Sequence, residues 1–454
     1  MKVAIVGAGW AGMAAAVTAA EQGADVTVYE ANRLLGGRAR ALPVTLPDGR
    51  QLTLDNGQHI LIGAYRETLA LMQTVGVDLE QTLLQLPLGL PLPDGSGLQT
   101  PRWAARWPAP LDALAAIGTA RGWTWGERLA LLRASLHWRL QHFACRPGLT
   151  VAELCRDLPP IVVDELIEPL CVSALNTPGE QANAQIFLNV LRDALFGQGH
   201  AGMAPSHLLL PRTDLTDLMP QAAARWLLAQ HAGRARIQLG ARVGALQRRY
   251  AGWLLLGVQD GQLFEAPFDR VIWATPAGPA AQAMAQAAAL TRESLKDSIA
   301  IPMGEWARTA ASLPHTAIAT VYVHAPGQPL REPMLALPSG LTAPAQFVFD
   351  RGQLRPEDPG AQGVLAFVVS AASGNREQLQ SAVLRQAQQQ LGLRQPVPLQ
   401  TVIERRATFA CTPGLRRPWA EIAPDLWAAG DYVEGPYPAT LEGAVRSGIA
   451  AANA

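Results

Sequence analysis

Thirty residues at the N-terminus, MKVAIVGAGWAGMAAAVTAAEQGADVTVYE, leave this chain few folds to choose from. Val3 to Val6 is a short apolar run, long enough for one buried parallel strand. It breaks into Gly7-Ala8-Gly9-Trp10-Ala11-Gly12. An Ala-rich segment from Trp10 to Gln22 then reads as a helix, ended by Gly23. Asp25 to Glu30 is a second strand that finishes on an acid. Each part has a physical task. Gly7 permits the tight turn, Gly9 lets backbone approach a pyrophosphate, and Gly12 lets helix and strand pack closely, with Ala16 keeping that face thin. The helix start at Trp10 and Ala11 offers free N–H groups and a positive dipole end to phosphate. Glu30, 18 residues after Gly12, can accept both hydroxyls of an adenosine ribose and would repel a 2′-phosphate, which disfavours NADP. The context, strand before and helix after, is what the motif needs to signify a dinucleotide site.

The rest of the composition narrows the class. At 454 residues, two intertwined domains are expected rather than one core. The net charge is zero, so nothing points to nucleic acid as a partner. Of the 37 basic residues only Lys2 and Lys296 are lysine, which reads as GC-rich codon usage. Cys145, Cys155, Cys171 and Cys411 form no C-x-x-C and no metal-ligand pattern, so reduced cytosolic thiols and no metal are expected. No secretory leader is expected ahead of the first strand, and no run of 18 apolar residues predicts a membrane-spanning helix. The chain is nevertheless 49% hydrophobic and 16% charged, a balance that permits attachment to a membrane surface.

Beyond Glu30, Gly36-Gly37 gives a bend able to wrap a ligand, and Arg38 and Arg40 offer planar donors to phosphate. A strand over Gln51 to Leu54 runs into Asp55-Asn56-Gly57-Gln58-His59, a polar strand end that suits a wall beside a flat ring. Helical periods dominate from Tyr65 to about Gly199. Residues 102–146 hold Trp103, Trp107, Trp123, Trp125 and Trp138, with seven arginines against only Asp112 and Glu127. Aromatic and basic residues on helices suit a lipid interface. The competing reading is a helical subdomain with buried tryptophans. Alternating segments return over 207–275, including strands around Val243 and Arg270 to Trp273. An Ala/Gln-rich helix covers 280–300, strands prevail over 316–370, and a helix covers 377–391. At the C-terminus a strand ends in Gly430-Asp431. A helix of small residues follows from Ala439, with a positive end able to stabilise charge on a reduced ring.

With its end matched to its start, the chain resembles the flavin amine-oxidase and phytoene-desaturase superfamily. The likeness rests on the GAGWAG turn, Glu30, Leu35-Gly36-Gly37-Arg38, Trp273-Ala-Thr-Pro276 and Ala429-Gly430-Asp431 with Glu442-Gly443-Ala444. Within it, Leu54 to His59, Gln346 to Arg351, Arg406 to Phe409 with Thr412-Pro413, and Pro438 to Gly448 resemble the hydroxysqualene dehydroxylases. The resemblance implies an α/β fold of mixed α+β character: a Rossmann-like FAD-binding domain (1–63, 205–278 and 400–454) intertwined with a sheet-plus-helices substrate domain (64–204 and 279–399). It implies non-covalent FAD and a hydrophobic isoprenoid substrate, hydroxysqualene, reduced to squalene with loss of water. It also implies a cytoplasmic enzyme peripheral on the inner face of the bacterial membrane. It leaves the electron donor open.

Carried over residue by residue, Gly7, Gly9 and Gly12 with Trp10 and Ala11 hold the pyrophosphate. Glu30 holds the ribose, Gly36, Gly37 and Arg38 the phosphate region, and Val243 the adenine through backbone. Asn56, Gly57 and Gln58 flank the ring, Gly430 and Asp431 the ribityl chain, and Thr440 and Leu441 the ring's carbonyl edge. Candidate acids for ionising the C–O bond are His59 and Tyr65, with Tyr437 as a third ring-side group. A packing role is the alternative for each. An oxidative polyene desaturase would share nearly every motif, an amine or protoporphyrinogen oxidase would share most, and a non-catalytic isoprenoid carrier could keep the fold.

Overall fold

A six-stranded sheet carries the N-terminal motif. The computed structural model describes residues 1–46, 49, 51–294 and 297–454. In spatial order the strands are Ala235–Leu239, Asp25–Glu30, Lys2–Val6, Arg270–Trp273, Leu426–Ala428 and Glu421–Ala423. The first five are parallel and the last runs antiparallel at the edge. Val3, Ala4 and Ile5 are buried, as a strand covered on both faces requires. Chain order reverses beside Lys2–Val6, with Asp25–Glu30 on one flank and Arg270–Trp273 on the other. That reversal opens a crevice at the carboxyl ends of the strands, where open α/β sheets bind ligands.

Small residues hold the helical layer close. Helix Trp10–Glu21 buries Ala14, Ala15 and Ala16 completely. A Cβ on Gly12 would stand 1.9 Å from the Gly7 carbonyl oxygen, and one on Gly448 would stand 2.1 Å from that of Ala11. These two glycines let the first helix sit on its own turn and let the C-terminal helix Leu441–Asn453 sit on the first.

A three-stranded antiparallel meander, Ala241–Arg248, Trp253–Gln259 and Gln262–Phe268, flanks the sheet, and Phe264 stacks on Tyr29 with ring centres 5.2 Å apart. A separate five-stranded antiparallel sheet runs in the order Met334–Ala336, Phe347–Asp350, Val364–Val369, His315–His324, Val397–Phe409. The last of these strands crosses the expected domain boundary at 400. Residues 400–409 belong to the antiparallel sheet because they pair with His315–His324. The helix expected over 280–300 falls on helices Ala277–Ser294 and Asp297–Ala311. Residues 295 and 296, Lys296 among them, lie outside the described residues.

Two buried carboxylates tie the layers together. Asp55, at the end of strand Gln51–Asp55, accepts from Arg351 at 3.1 Å, from Arg355 at 3.4 Å and from the Leu215 amide at 2.8 Å. The Tyr322 hydroxyl donates to the Asp55 backbone oxygen at 2.7 Å. Glu442, fully buried, accepts from the Glu67 and Thr68 amides that open helix Arg66–Thr74, from the Thr68 hydroxyl at 2.7 Å and from Arg446 at 2.7 Å. Together they bind the strand end beside the crevice to the antiparallel sheet, and the C-terminal helix to the start of the helical region.

Candidate active site

One cavity of about 1050 Å³ runs from the glycine turns of the parallel sheet to the helices beyond the antiparallel sheet. It is larger than the roughly 300–1,000 Å³ typical of a site for one small ligand. Its two ends differ in character.

The polar end is built from backbone. Gly7 has φ +108°, and a Cβ there would lie 2.7 Å from the Ala274 oxygen, so the turn demands glycine. Gly36 and Gly37 also have positive φ, and the Gly36 amide donates to the Ala8 oxygen at 2.9 Å, folding this bend against the first turn. Gly9 is different. Its φ of −76° suits any residue, and the nearest protein atom to a Cβ would be Gly37 Cα at 3.8 Å. Neither conformation nor a protein neighbour requires glycine at 9, so what a side chain there would occupy is cavity. No side chain caps the first helix, whose start faces the same space. Trp10 is pinned by its indole N–H, which donates to the Ala39 oxygen at 3.1 Å.

Glu30 accepts from the Ala8 amide at 2.8 Å and from the Asn32 amide and side chain. A carboxylate has about four acceptor positions, so with three taken one remains on Oε2, room for one ribose hydroxyl rather than the two expected. Arg38 donates to Asp431 and, at 2.5 Å, to the Ala407 oxygen. Burial works against its charge, but the ion pair and hydrogen bond with Asp431 outweigh it, and the Arg38 pKa stands above its ordinary value. The two residues expected at phosphate and ribityl positions therefore hold each other. Thr440 accepts from the Gly443 amide at 2.9 Å and caps the C-terminal helix, whose first residues line the cavity.

Of the expected site residues, Gly7, Gly9, Trp10, Ala11, Glu30, Gly36, Gly37, Arg38, Asn56, Gly57, Gln58, His59, Tyr65, Val243, Gly430, Asp431, Thr440 and Leu441 line this one cavity. Gly12 and Tyr437 do not. Gly12 lies behind the turn as a packing residue. The Tyr437 hydroxyl donates to Asp193 at 2.5 Å while Arg446 sits over its ring at 4.5 Å, so its polar tip is engaged away from the wall. Burial, then the Asp193 contact, pushes the Tyr437 pKa up to about 12.

His59 Nδ1 lies 3.1 Å from the Gly57 oxygen. A carbonyl only accepts, so Nδ1 carries the proton and Nε2 presents a lone pair. Burial lowers the His59 pKa, with the Gly57 bond and Asp55 opposing it. A neutral imidazole held in this way accepts a hydrogen bond at Nε2. Burial, then the Glu442 charge, raises the Tyr65 pKa, which keeps the phenol protonated as a hydrogen-bond donor.

The model of the family "Flavin containing amine oxidoreductase" matches residues 10–454. The chain belongs to the flavin-containing amine oxidoreductase family. It is an FAD-dependent oxidoreductase. Three curated relatives called hydroxysqualene dehydroxylase align over 99% of the chain at 26–27% identity; that of Rhodopseudomonas palustris is 27% identical over 478 residues, 97% of its length. A shorter stretch, 21% of this chain, is 43% identical to a carotenoid phi-ring synthase of Streptomyces griseus. Among solved structures, an oxidoreductase from Methanosarcina mazei superposes with a TM-score of 0.70 over 99% of both chains at 16% identity, a likeness of fold.

The cavity fits the cofactor of this flavin family. A side-chain-free floor at Gly9, an uncapped helix start and a free acceptor on Glu30 answer pyrophosphate and ribose. The Gln58 side-chain oxygen is buried on this wall without a partner. None of the four cysteines lines the cavity, and burial pushes Cys155 and Cys411 up to about 12.

Two cavity residues escaped the sequence reading. Glu404 stands across from Ile318 on neighbouring strands, and both face the cavity. Among the described residues its side chain makes no ion pair and accepts a hydrogen bond from the Arg406 amide at 3.2 Å. An acid alternating with Val402 on an inward face was the available signal. Asn176, with φ +46°, donates to Thr316 and Thr408 and accepts from the Ala371 amide, stitching helix Glu168–Leu175 to the sheet. A left-handed Asn just after a helix is a common cap, but its partners are distant in sequence.

The tryptophan-rich region divides. Trp123 is buried, its N–H donating to Glu165 at 2.7 Å, and Trp138 is buried on the cavity wall. The interfacial expectation therefore fails for these two rings. Trp103, Trp107 and Trp125 are exposed. Among the described residues no helix is long and apolar enough to cross a membrane.

Proposed function

We propose that this protein reduces hydroxysqualene to squalene, with loss of water, in squalene and hopanoid synthesis. The observation that carries the reading is the lining of the cavity. Its dinucleotide end continues into an apolar end walled by residues such as Leu131, Phe187, Leu191, Phe347 and Phe349, suited to a flexible hydrocarbon. The names of the full-length relatives point the same way. Gly7, Gly9 and the start of the first helix would hold the FAD pyrophosphate, with Glu30 at the ribose and backbone at Val243 at the adenine. Asn56 to Gln58, Asp431, Thr440 and Leu441 would border the ribityl chain and ring. When bound and reduced, FAD supplies the hydride.

The chain's own residues do the rest. The substrate's C–O bond breaks, the oxygen leaves as water, and a C–H bond forms at the same carbon. Tyr65, kept protonated, donates a hydrogen bond to the substrate oxygen. Glu404 is the carboxyl that carries the proton to it. His59 accepts through Nε2 and orients the oxygen. The apolar walls keep water from the carbon that loses it.

The test is anaerobic. The yellow protein is reduced with dithionite and given hydroxysqualene in detergent. Flavin reoxidation with squalene detected by gas chromatography is the expected result; a flavin that stays reduced, with no squalene, overturns the reading. An oxidative isoprenoid desaturase is the second reading, favoured by the carotenoid-enzyme match. The oxidised protein would then act on more saturated isoprenoids.

A further inference from the structure

The apolar end of the cavity reaches the surface. Leu114, Leu136 and Phe196 line the cavity and are also exposed, so they mark its mouth. Leu114 comes from helix Leu111–Thr119, Leu136 from helix Trp125–Leu140 and Phe196 from the end of helix Ala184–Phe196. Arg139 also lines the cavity, with its guanidinium 4.9 Å from the centre of the Phe196 ring.

The same helices and the turn before them carry the exposed tryptophans. Trp103, Trp107 and Trp125 are 61%, 42% and 76% exposed, and Leu111, Leu129 and Leu140 join them. Single exposed apolar residues are ordinary, but a group of this size in one sequence region marks an interaction surface.

Its charge selects the partner. Arg102, Arg106, Arg121, Arg133, Arg139 and Arg146 are exposed and make no ion pair among the described residues. The two acids of this region are turned to structural work. Asp112 is buried and accepts from the Ser206 hydroxyl and the Ala113 amide, and Glu127 closes a capping box with Thr124. Over residues 102–146 seven arginines thus face two acids, one of them buried, and the surface combines an excess of positive charge with exposed apolar side chains, the pair of properties that binds a helix face to anionic lipid.

We propose that this face docks on an anionic lipid bilayer with the cavity mouth against it, so that the apolar chain passes from lipid to cavity without crossing water. Arg139 and Phe196 form the rim through which it passes, and lipid phosphate competes with the Phe196 ring for the Arg139 guanidinium. The docking stands on the surface alone; the loading rests on the isoprenoid reading of the cavity.

Pelleting with sucrose-loaded vesicles tests the docking, with no substrate present. The wild-type protein should bind phosphatidylglycerol-rich vesicles and bind pure phosphatidylcholine vesicles much less. Trp103→Ser with Trp107→Ser and Trp125→Ser should lower the partition at least tenfold. Arg121→Gln with Arg133→Gln, made separately, should lower it roughly fivefold per arginine on anionic vesicles. Leu263→Ser, at an exposed site on the meander, should change nothing. Retained flavin absorbance and thermal midpoint certify that the variants are folded. Equal pelleting by wild-type, tryptophan and arginine variants overturns the docking.

The loading is read by delivering substrate in two ways. The tryptophan variant should lose turnover on hydroxysqualene held in vesicles and keep it on hydroxysqualene in detergent. Equal turnover on vesicle-held substrate, or equal loss on both, overturns the loading. No turnover by any form in either medium, with pelleting intact, would refute the substrate reading and leave the docking standing.

Discussion

A methyl group at Gly9 should separate binding of the cofactor from stability of the fold. Gly9 has an ordinary φ of −76°, and a Cβ there would have no protein atom closer than 3.8 Å. Two small effects on the apoprotein oppose each other. Replacing glycine by alanine at a compatible φ stabilises by about 0.4–1 kcal/mol through the unfolded chain, and alanine is a poorer N-cap than glycine by a similar amount. The apoprotein midpoint should therefore stay within a few degrees of wild type. The added carbon instead projects into the cavity floor where the pyrophosphate is proposed to lie. Losing one charge-assisted hydrogen bond costs about 1.5–3 kcal/mol, so FAD should bind roughly 10- to 150-fold more weakly. Gly12→Ala is the contrasting variant. Its Cβ would stand 1.9 Å from the Gly7 oxygen and 3.2 Å from Ala274 Cβ, and overpacking of that kind costs about 1–3 kcal/mol with or without cofactor. Titration of FAD into apoprotein, followed by flavin absorbance and paired with thermal unfolding of the same samples, reads both quantities. Wild-type FAD affinity in Gly9→Ala, or an apoprotein midpoint that falls as far as that of Gly12→Ala, would refute the reasoning.

Glu442→Ala should destabilise the protein by about 3 kcal/mol, the low end for breaking a buried pair, because Arg446 keeps a third of its side chain in solvent; a loss below about 1 kcal/mol in urea unfolding would show that the Arg66–Thr74 helix start finds other acceptors. The depressed pKa of His59 means that below about pH 6.5 the unfolded chain takes a proton that the folded chain resists, so stability falls as pH drops through that value. His207 and His315 are shifted the same way by burial, so His59→Asn should flatten the thermal midpoint against pH only in part, and an unchanged slope would mean His59 titrates normally. Glu404→Gln should keep bound FAD and lower turnover by about 10²- to 10⁴-fold; an unchanged kcat would remove Glu404 from proton transfer.

How far the residues alone reveal such a molecule depends on whether the cause of a feature is local. The turn at Gly7, the apolar run of Val3 to Val6 and the acid ending Asp25–Glu30 are local, because one strand, one turn and one helix start determine them. Arg38 and Asp431 are 393 positions apart, and no pattern near either announces that each is the other's partner. Strand Val397–Phe409, which crosses the expected boundary at 400, has a distant cause of the same kind, since it is placed by pairing with His315–His324 and not by its own composition. Tyr437 looked ring-side because it precedes the C-terminal helix, but its hydroxyl is claimed by Asp193 on another helix.

The tryptophans bring these two kinds of cause together. Trp123 and Trp125 are two residues apart in a segment whose composition treats them alike, yet Trp123 donates to Glu165 inside the fold and Trp125 faces out with Arg128 over its ring at 4.7 Å. Of the helix that begins there only Leu131 and Trp138, two turns apart on one line, are buried, while Leu129, Leu136 and Leu140 stay exposed. A helix on a globular core ordinarily buries a stripe at least 100° wide. Leu132 and Ala134 widen that line as partly buried residues packed against the core, yet Trp125, Leu129, Leu136 and Leu140 lie outside it. Leu136 stands at the cavity mouth, so the placement of these exposed residues answers to what lies outside the protein, and vesicle binding is the measurement that reaches it.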